Sequence, residues 1–345
     1  MTVLMPVRNE STYIEGALGA VLEQDYPADR MQILVVDGRS EDDTRERAQR
    51  LAEEAGREIT IVDNPGRIAP CALNAGLTET TGEIVVRVDG HCEIGPAYVR
   101  RGVAHLQSAA HQDVAGVGGV LDTVGETPTA RAIAVAMSSR LGVGGSAFRT
   151  ADGDSPVSDV DTVAFPAYRR ATLEAAGPFD EELVRNQDDE YNYRLRKAGQ
   201  RILLVPDMPV RYFSRATLSS LFRQYRQYGY WKVRVLQKHP RQMSLRQFAP
   251  PALVAGLVTS TLLMVGPWLG LVPGPSEVRT GWTLVGAILP TVYLTFLVIG
   301  AGRTARSRKV GAATLVAALA LMHLGYGIGF LTGLVRFAFR WFDRS

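Results

Sequence analysis

Two short runs of the chain combine residue types that can handle a phosphorylated substrate. Asp89-Gly90-His91 follows the apolar run Glu83 to Val88. A carboxylate and an imidazole two positions apart in an extended turn can face one side and share a divalent cation, which would neutralise a bound diphosphate. Asp-Gly is also an ordinary turn pair, so the motif alone leaves both readings open. Asp188-Asp189-Glu190 sets three carboxylates side by side just before a helical pattern. One or two of them would favour the positive end of a helix dipole. A third adds repulsion that a metal, an arginine or a polar substrate would relieve, and Arg194 and Arg196 are close by in sequence. A carboxylate so placed is also what an attacking hydroxyl needs in order to lose its proton. Asp37 ends another apolar run and has a similar ambiguity: a turn residue, or a partner for a base or ribose.

These residues fall at the ends of regular elements. Thr2 to Val7, Gln32 to Val36, Glu58 to Val62 and Glu83 to Val88 read as strands. Between them Glu15 to Leu22, Glu41 to Ala55 (capped by Ser40) and Pro70 to Thr80 read as helices. The alternation predicts an α/β fold with a parallel sheet covered on both faces. Ligands of such sheets bind beyond the C-terminal strand ends, where Arg8, Asp37 and Asp89 fall. Val114 to Leu121, Thr162 to Tyr168 and Arg201 to Val205 read as further strands, and Leu141 to Asp154 as a mobile loop. The helix after Glu190 ends at Ala198-Gly199, with glycine past its last turn.

The second half of the 345-residue chain differs in kind. The net charge is only +3, yet no Asp or Glu occurs from Met208 to Ser276. Basic residues cluster there beside apolar blocks, which points to a membrane surface and not to nucleic acid. Pro250 to Val272, Gly281 to Gly300 and Gly311 to Val335 each reach the roughly 20 residues that span a bilayer. Arg303, Arg306, Arg308 and Lys309 between the second and third blocks predict a cytoplasmic loop. The nearly uncharged segment between the first and second is expected outside, which places the N-terminal domain inside. No cleavable signal peptide is visible, in agreement. Three spans put Arg336, Arg340 and Arg344 outside, against the trend, and Gly325, Gly327, Gly329 and Gly333 allow a re-entrant third segment instead. Thr217 to Lys238 interleaves aromatic and basic residues at helical spacing, as an interfacial helix does or as an amphipathic helix docked on a domain does. Cys71 and Cys92 are too few for a disulfide framework and fit a reducing compartment. The expected domains are 1–207, a basic membrane-interface segment 208–248, and a transmembrane region 249–345.

The ordered set of motifs resembles the inverting glycosyltransferases of family 2, most closely their membrane-bound exopolysaccharide or succinoglycan-type branch. The likeness runs through Met5-Pro6-Val7-Arg8-Asn9-Glu10, Val35-Val36-Asp37-Gly38-Arg39-Ser40, Asn64-Pro65-Gly66 and Leu73-Asn74-Ala75-Gly76. It continues through Val88-Asp89-Gly90-His91, Gly177-Pro178-Phe179-Asp180-Glu181, and Asp188-Asp189-Glu190 to Gly199. The resemblance implies a Rossmann-like GT-A domain for nucleotide-diphospho-sugars, followed by transmembrane helices. It implies that Pro6, Arg8, Glu10 and Asp37 line a nucleoside pocket and that Arg67 and Asn74 lie beside base and diphosphate. Asp89 and His91 fall on the family's Asp-x-Asp motif, with His91 in place of the final Asp, so the implied divalent metal is Mn²⁺ or Mg²⁺. Asp188 falls on the general base, preceded here by Gln187 where the family has Glu. The Gln-x-x-Arg-Trp of processive synthases is absent as such, with Gln224 to Trp231 a loose echo, which implies one sugar per encounter.

The expected activity is hexosyl transfer from a nucleotide-diphospho-sugar to a polyprenyl-linked saccharide, in exopolysaccharide or envelope glycan synthesis. The expected setting is a multi-pass cell-membrane protein with a cytoplasmic catalytic domain. Arg223, Arg226 and Lys232 are expected to hold the lipid diphosphate at headgroup depth. One alternative is a polyprenyl-phosphate sugar synthase of the same fold. Another is a dinucleotide-dependent membrane oxidoreductase, which needs a Gly-x-Gly-x-x-Gly turn where Pro6 to Glu10 stand. A non-catalytic scaffold is disfavoured by Asp89 and Asp188.

Overall fold

In the computed structural model, which describes residues 1–271 and 275–341, the apolar runs of the N-terminal half become strands. In chain order these are β1 (Thr2–Val7), β2 (Gln32–Asp37), β3 (Thr60–Asp63), β4 (Ile84–Arg87), β5 (Cys92–Ile94), β6 (Val114–Gly118), β7 (Leu121–Val124), β8 (Ser158–Asp159), β9 (Ala167–Arg169), β10 (Arg201–Leu204) and β11 (Val210–Phe213). Val272, Pro273 and Arg344, which entered the reading of the membrane blocks and the tail, lie outside the described residues.

Eight strands form one sheet in the order β3-β2-β1-β4-β9-β6-β10-β8, and β5-β11-β7 form a second. The strands β3, β2, β1 and β4 are parallel, as the alternation with helices requires. The sheet is mixed and not wholly parallel, because β9 runs antiparallel to both β4 and β6. No helical crossover feeds β9, so nothing forces it to be parallel. The strand at Thr162 to Tyr168 shrinks to Ala167–Arg169, since Phe165 has φ of 49° and Pro166 follows it. Leu141 to Asp154, expected as a loop, instead holds two helical turns, Arg140–Val143 and Ala147–Thr150.

Val3, Leu4, Met5, Ile33, Leu34 and Val36 are essentially inaccessible, each worth about 1.5–3 kcal/mol of burial. The helix Ala69–Thr78 lies directly on β1: a Cβ at Gly76 would stand 2.5 Å from a Leu4 methyl. The charged helix begins at Thr44 and not at Glu41, and Ser40 is not its cap, because Ser40 turns back onto Asp37.

The chain separates into two units. The first comprises Met1–Val124 and Gly145–Phe213; the second comprises Gly125–Gly144 and the residues from Ser214 onward. Among the described residues of the second unit three helical segments are long and apolar enough to cross a membrane: Leu245–Leu269, Ser276–Arg308 and Ala312–Arg336. The last is one continuous helix of 25 residues, so its glycines do not break it into a re-entrant form. They serve close packing. A Cβ at Gly329 would meet the Arg226 carbonyl at 2.0 Å, and one at Gly229 would meet that of Tyr326 at the same distance. The helix Leu218–Lys238 therefore lies backbone to backbone along Ala312–Arg336. Lys232, expected at headgroup depth, is only 2% exposed within this packing, while Arg223 and Arg226 are exposed. Arg303, Arg306 and Arg308 occupy the last turns of Ser276–Arg308, not a loop.

Candidate active site

The first three parallel strands end in turns that each place a non-glycine residue in the left-handed region: Asn9 (φ 55°), Arg39 (φ 55°) and Arg67 (φ 60°). Such backbone is tolerated where surrounding contacts impose it, most often at functional sites. Here the turns are stitched together. The Asn9 N–H donates to Ser40 Oγ at 2.9 Å and Asn9 Oδ1 accepts from the Glu41 N–H at 2.8 Å. The Asn64 N–H donates to the Asp37 carbonyl at 2.8 Å, and Arg39 grips Asp63 with two hydrogen bonds.

Asp37, the last residue of β2, is 3% exposed, and its carboxylate accepts from the Ser40 hydroxyl at 2.6 Å and the Ser40 N–H at 3.1 Å. Pro6 is buried in β1 opposite Val36. Arg8 and Arg67 both reach toward the exposed Glu41 carboxylate, at 3.9 and 3.8 Å. Pairs this long and exposed contribute little, so both guanidiniums stay available to an anionic ligand. Asn74 is committed elsewhere: its amide accepts from the Phe179 N–H and donates to the Phe179 carbonyl and Glu181, at 2.8 to 2.9 Å. It holds the Gly177-to-Glu181 turn.

At the end of β4, Arg87 binds both oxygens of Asp89, at 2.8 and 3.0 Å. The pair is largely shielded, with side chains 9% and 18% exposed. Burial alone would lower the Arg87 guanidinium's pKa, but Asp89, and after it Asp188, outweigh this and hold it above the ordinary value. Asp188 lies in the first turn of Gln187–Lys197 and accepts from the Asp189 N–H at 2.9 Å. Arg87 is thus bonded to a strand-end carboxylate and also feels the charge of a helix-start carboxylate 99 positions further along the chain. The third acid of that run is engaged away from Arg87, for Glu190, 2% exposed, binds Arg194 at 2.8 Å. Arg194 in turn donates to the carbonyls of Ala176 and Pro178.

Tyr168 on β9 also feels Asp188; burial first, then Tyr191 and Asp188 among other charges, push its phenol well up, and its hydroxyl donates to Asn192 at 2.7 Å. Phe165, with its left-handed backbone, faces Arg87 at 6.0 Å and Tyr212 at 6.4 Å.

His91 Nδ1 lies 2.8 Å from Glu10 Oε1. An ionised carboxylate can only accept, so Nδ1 carries a proton, and in the neutral imidazole this leaves the lone pair on Nε2. That is the arrangement of metal-binding imidazoles, whose second nitrogen is fixed by a carboxylate. Gly90 lets the turn close: a Cβ there would stand 3.0 Å from both Glu10 Cγ and Val7 Cγ1. Among the described residues no three His, Cys, Asp or Glu side chains gather as a complete metal cage. Asp89 and His91 are the residues expected to meet a divalent cation, which could take one or two protein ligands and complete its shell with phosphate oxygens and water; both Asp89 oxygens are here bonded to Arg87.

Arg87, Phe165 and Tyr168 were not singled out by sequence reasoning. The signal for Arg87 was present: a cation inside the apolar run Ile84 to Val88 must find an anion when buried.

Residues 2–172 match the model of Glycosyl transferase family 2. The succinoglycan biosynthesis protein ExoA of Rhizobium meliloti is 31% identical over 338 residues, 97% of this chain and 95% of that protein. A Methanococcus voltae dolichyl N-acetyl-alpha-D-glucosaminyl phosphate 3-beta-D-2,3-diacetamido-2,3-dideoxy-beta-D-glucuronosyltransferase is 26% identical over 242 residues, 69% of this chain and 74% of that one. Among solved structures, the mannosyltransferase PcManGT of Pyrobaculum calidifontis, in complex with GDP-Man and Mn²⁺, superposes with a TM-score of 0.54 at 23% identity, covering 84% of each chain. The chain belongs to glycosyl transferase family 2 and is a glycosyltransferase built on the GT-A fold.

Proposed function

We propose that the protein transfers a sugar, with inversion, from a nucleotide-diphospho-sugar to a lipid-linked saccharide at the cytoplasmic face of the cell membrane. The observation that carries this reading is Arg87, bonded to Asp89 through both carboxylate oxygens and also within the electrostatic reach of Asp188. It supports a single centre with a diphosphate end at Asp89 and a proton-accepting end at Asp188.

In this reading Arg8, Glu10, Asp37 and Arg67 belong to the nucleotide side, around the stitched turns after β1 to β3. Pro6 supports them from within β1, and Asn74 acts through the turn it holds. Asp188 accepts the proton of the acceptor hydroxyl as its oxygen bonds to the anomeric carbon. The bond from that carbon to the diphosphate breaks on the opposite face, and its electron pair leaves with the nucleotide. One carboxylate suffices, because no covalent enzyme intermediate forms. A divalent cation held by Asp89 and His91 would supply positive charge for the leaving diphosphate.

A lipid-linked acceptor is favoured by the three apolar helices in the same chain, since a soluble acceptor would need no anchor. The Methanococcus voltae relative is named for a dolichyl-phosphate-linked substrate, which supports the same class here. Arg223 and Arg226 remain candidates for contact with the lipid diphosphate, whereas the buried Lys232 is not. Orientation follows from Arg303, Arg306, Arg308 and Lys309 at one end of the helical hairpin.

Membranes containing the protein, supplied with a panel of nucleotide-sugars and extracted lipid, should yield a glycolipid detected by mass spectrometry. NMR of the new linkage should show the anomer opposite to the donor's. Retention of the donor's configuration, or equal use of a water-soluble oligosaccharide, would overturn the reading.

A further inference from the structure

Where the helices Ser276–Arg308 and Ala312–Arg336 meet, an open pocket of about 400 Å³ is lined by Val298, Ile299, Gly302, Arg303, Arg306 and Val310. That is room for about a dozen water-sized groups. Its lining divides by chemistry. Val298 and Ile299, each 51% exposed, give an apolar wall, and the two guanidiniums lie beyond it on the same helix face, three residues apart. No carboxylate lines the pocket. Arg303 and Arg306 are exposed and carry no ion pair or hydrogen bond among the described residues.

Depth decides what such a pocket meets. At 33 residues the helix is about 50 Å long, well beyond the ~30 Å hydrocarbon core. Its apolar block ends at Gly300, so at about 1.5 Å per residue Arg303 stands roughly 4–5 Å past the core and Arg306 about 9 Å. The headgroup layer is about 5–8 Å thick on each side. The two arginines therefore bracket the level of a lipid phosphate, with Val298 and Ile299 at the start of the chains.

We propose that this pocket binds one anionic membrane phospholipid, its phosphate held by Arg303 and Arg306 and the first carbons of a chain laid on Val298, Ile299 and Val310. The inference goes beyond the transferase reading and rests only on its membrane setting, that Ser276–Arg308 crosses the bilayer. Two unpaired cations without an acid select a lipid of net negative charge over a zwitterionic one, whose amine would meet the same arginines.

The test is native mass spectrometry of the full chain in neutral detergent, titrated with phosphatidylglycerol or phosphatidylcholine. One phosphatidylglycerol should be retained in preference to phosphatidylcholine. R303Q/R306Q should weaken it about thirtyfold, from the usual contribution of two basic residues near a lipid surface. Gly302→Leu should abolish it with charge unchanged; a Cβ at Gly302 meets nothing within 4 Å, so the fold has room for the new side chain. R308Q/K309Q removes the same charge outside the pocket and should leave binding intact. Equal retention of both lipids, equal weakening by R308Q/K309Q, or capture of polyprenyl phosphate with phosphatidylglycerol excluded would each overturn the proposal.

Discussion

Replacing Arg87 by methionine should destabilise the catalytic unit by about 3 kcal/mol, although the new side chain is apolar and nearly fills the same space. Methionine leaves Asp89 without either of its two charge-assisted hydrogen bonds. Breaking a buried ion pair on one side costs about 3–5 kcal/mol. Asp89 is 18% exposed and recovers some water, which puts the expected loss at the lower end of that range. Arg87→Lys keeps the charge but not the bidentate geometry and should lose roughly half as much. Removing both charges, in R87M/D89N, should cost clearly less than the sum of the single changes, by about 2 kcal/mol. The choice of assay matters, because Trp231, Trp268, Trp282 and Trp341 all lie beyond Ser214, in the second unit. Pulse proteolysis across a urea series, with peptides from β4 followed by mass spectrometry, reads the relevant unit in the full chain. Additivity within about 0.5 kcal/mol, or an Arg87→Met protein as stable as the parent, would show that the pair does not hold the site together.

Asp188→Asn should cut transfer by about 10² to 10⁴ with expression and urea midpoint unchanged, and near-normal turnover would remove Asp188 as the base. Excess EDTA should stop transfer and Mn²⁺ or Mg²⁺ restore it, and His91→Ala should raise the metal concentration needed; full activity in EDTA would refute the metal assignment. Burial would raise the Asp42 carboxyl, but hydrogen bonds from Thr44 and Ser11 outweigh it and hold it below the ordinary carboxylate range. A depressed folded-state value stabilises above the unfolded value and is lost as pH falls through the folded one, so Asp42→Asn should cost about 1 kcal/mol at pH 7 and progressively less below about pH 4. A stability gap that widens as pH falls would contradict this. Arg226→Glu should raise KM for the lipid acceptor even in neutral detergent, and a change confined to membrane binding would count against acceptor contact at that residue.

Periodicity carried the fold where elements are local. The four parallel strands and their helices follow from apolar runs broken by Asp37-Gly38, Pro65-Gly66 and Asp89-Gly90, and the three long apolar helices follow from block length. What periodicity could not carry was pairing between distant segments. Nothing local indicates that β9 slots antiparallel between β4 and β6, because its position depends on partners more than 50 residues away. The site was legible as a list and less so as an arrangement. Asp89, His91 and Asp188 stand out by residue type and place. That Glu10 fixes the His91 tautomer, and that Asn74 holds the Phe179 turn, are facts of three-dimensional register. Lys232 shows the same limit on a helix: Arg226 and Lys232 look alike in a basic amphipathic pattern, yet the seam with the glycine-rich helix covers one and leaves the other in the open.

The interleaving of the two units along the chain has a consequence for synthesis. Residues Gly125–Gly144 emerge in the middle of the catalytic sequence but belong with the C-terminal helices, where the Leu141 carbonyl accepts from His323 Nε2 at 2.7 Å. The helix Leu218–Lys238 likewise waits for Ala312–Arg336, about 100 residues later, before its glycine seam can close. At about 5–20 residues per second that is a delay of roughly 5–20 s, and nearly twice as long for Leu141. During that interval the ribosome holds a chain whose enzyme portion is complete in sequence but whose basic, aromatic helix is still bare. A protein ordered this way cannot finish folding strictly from its N-terminus: its second unit closes only after its last long helix has been translated.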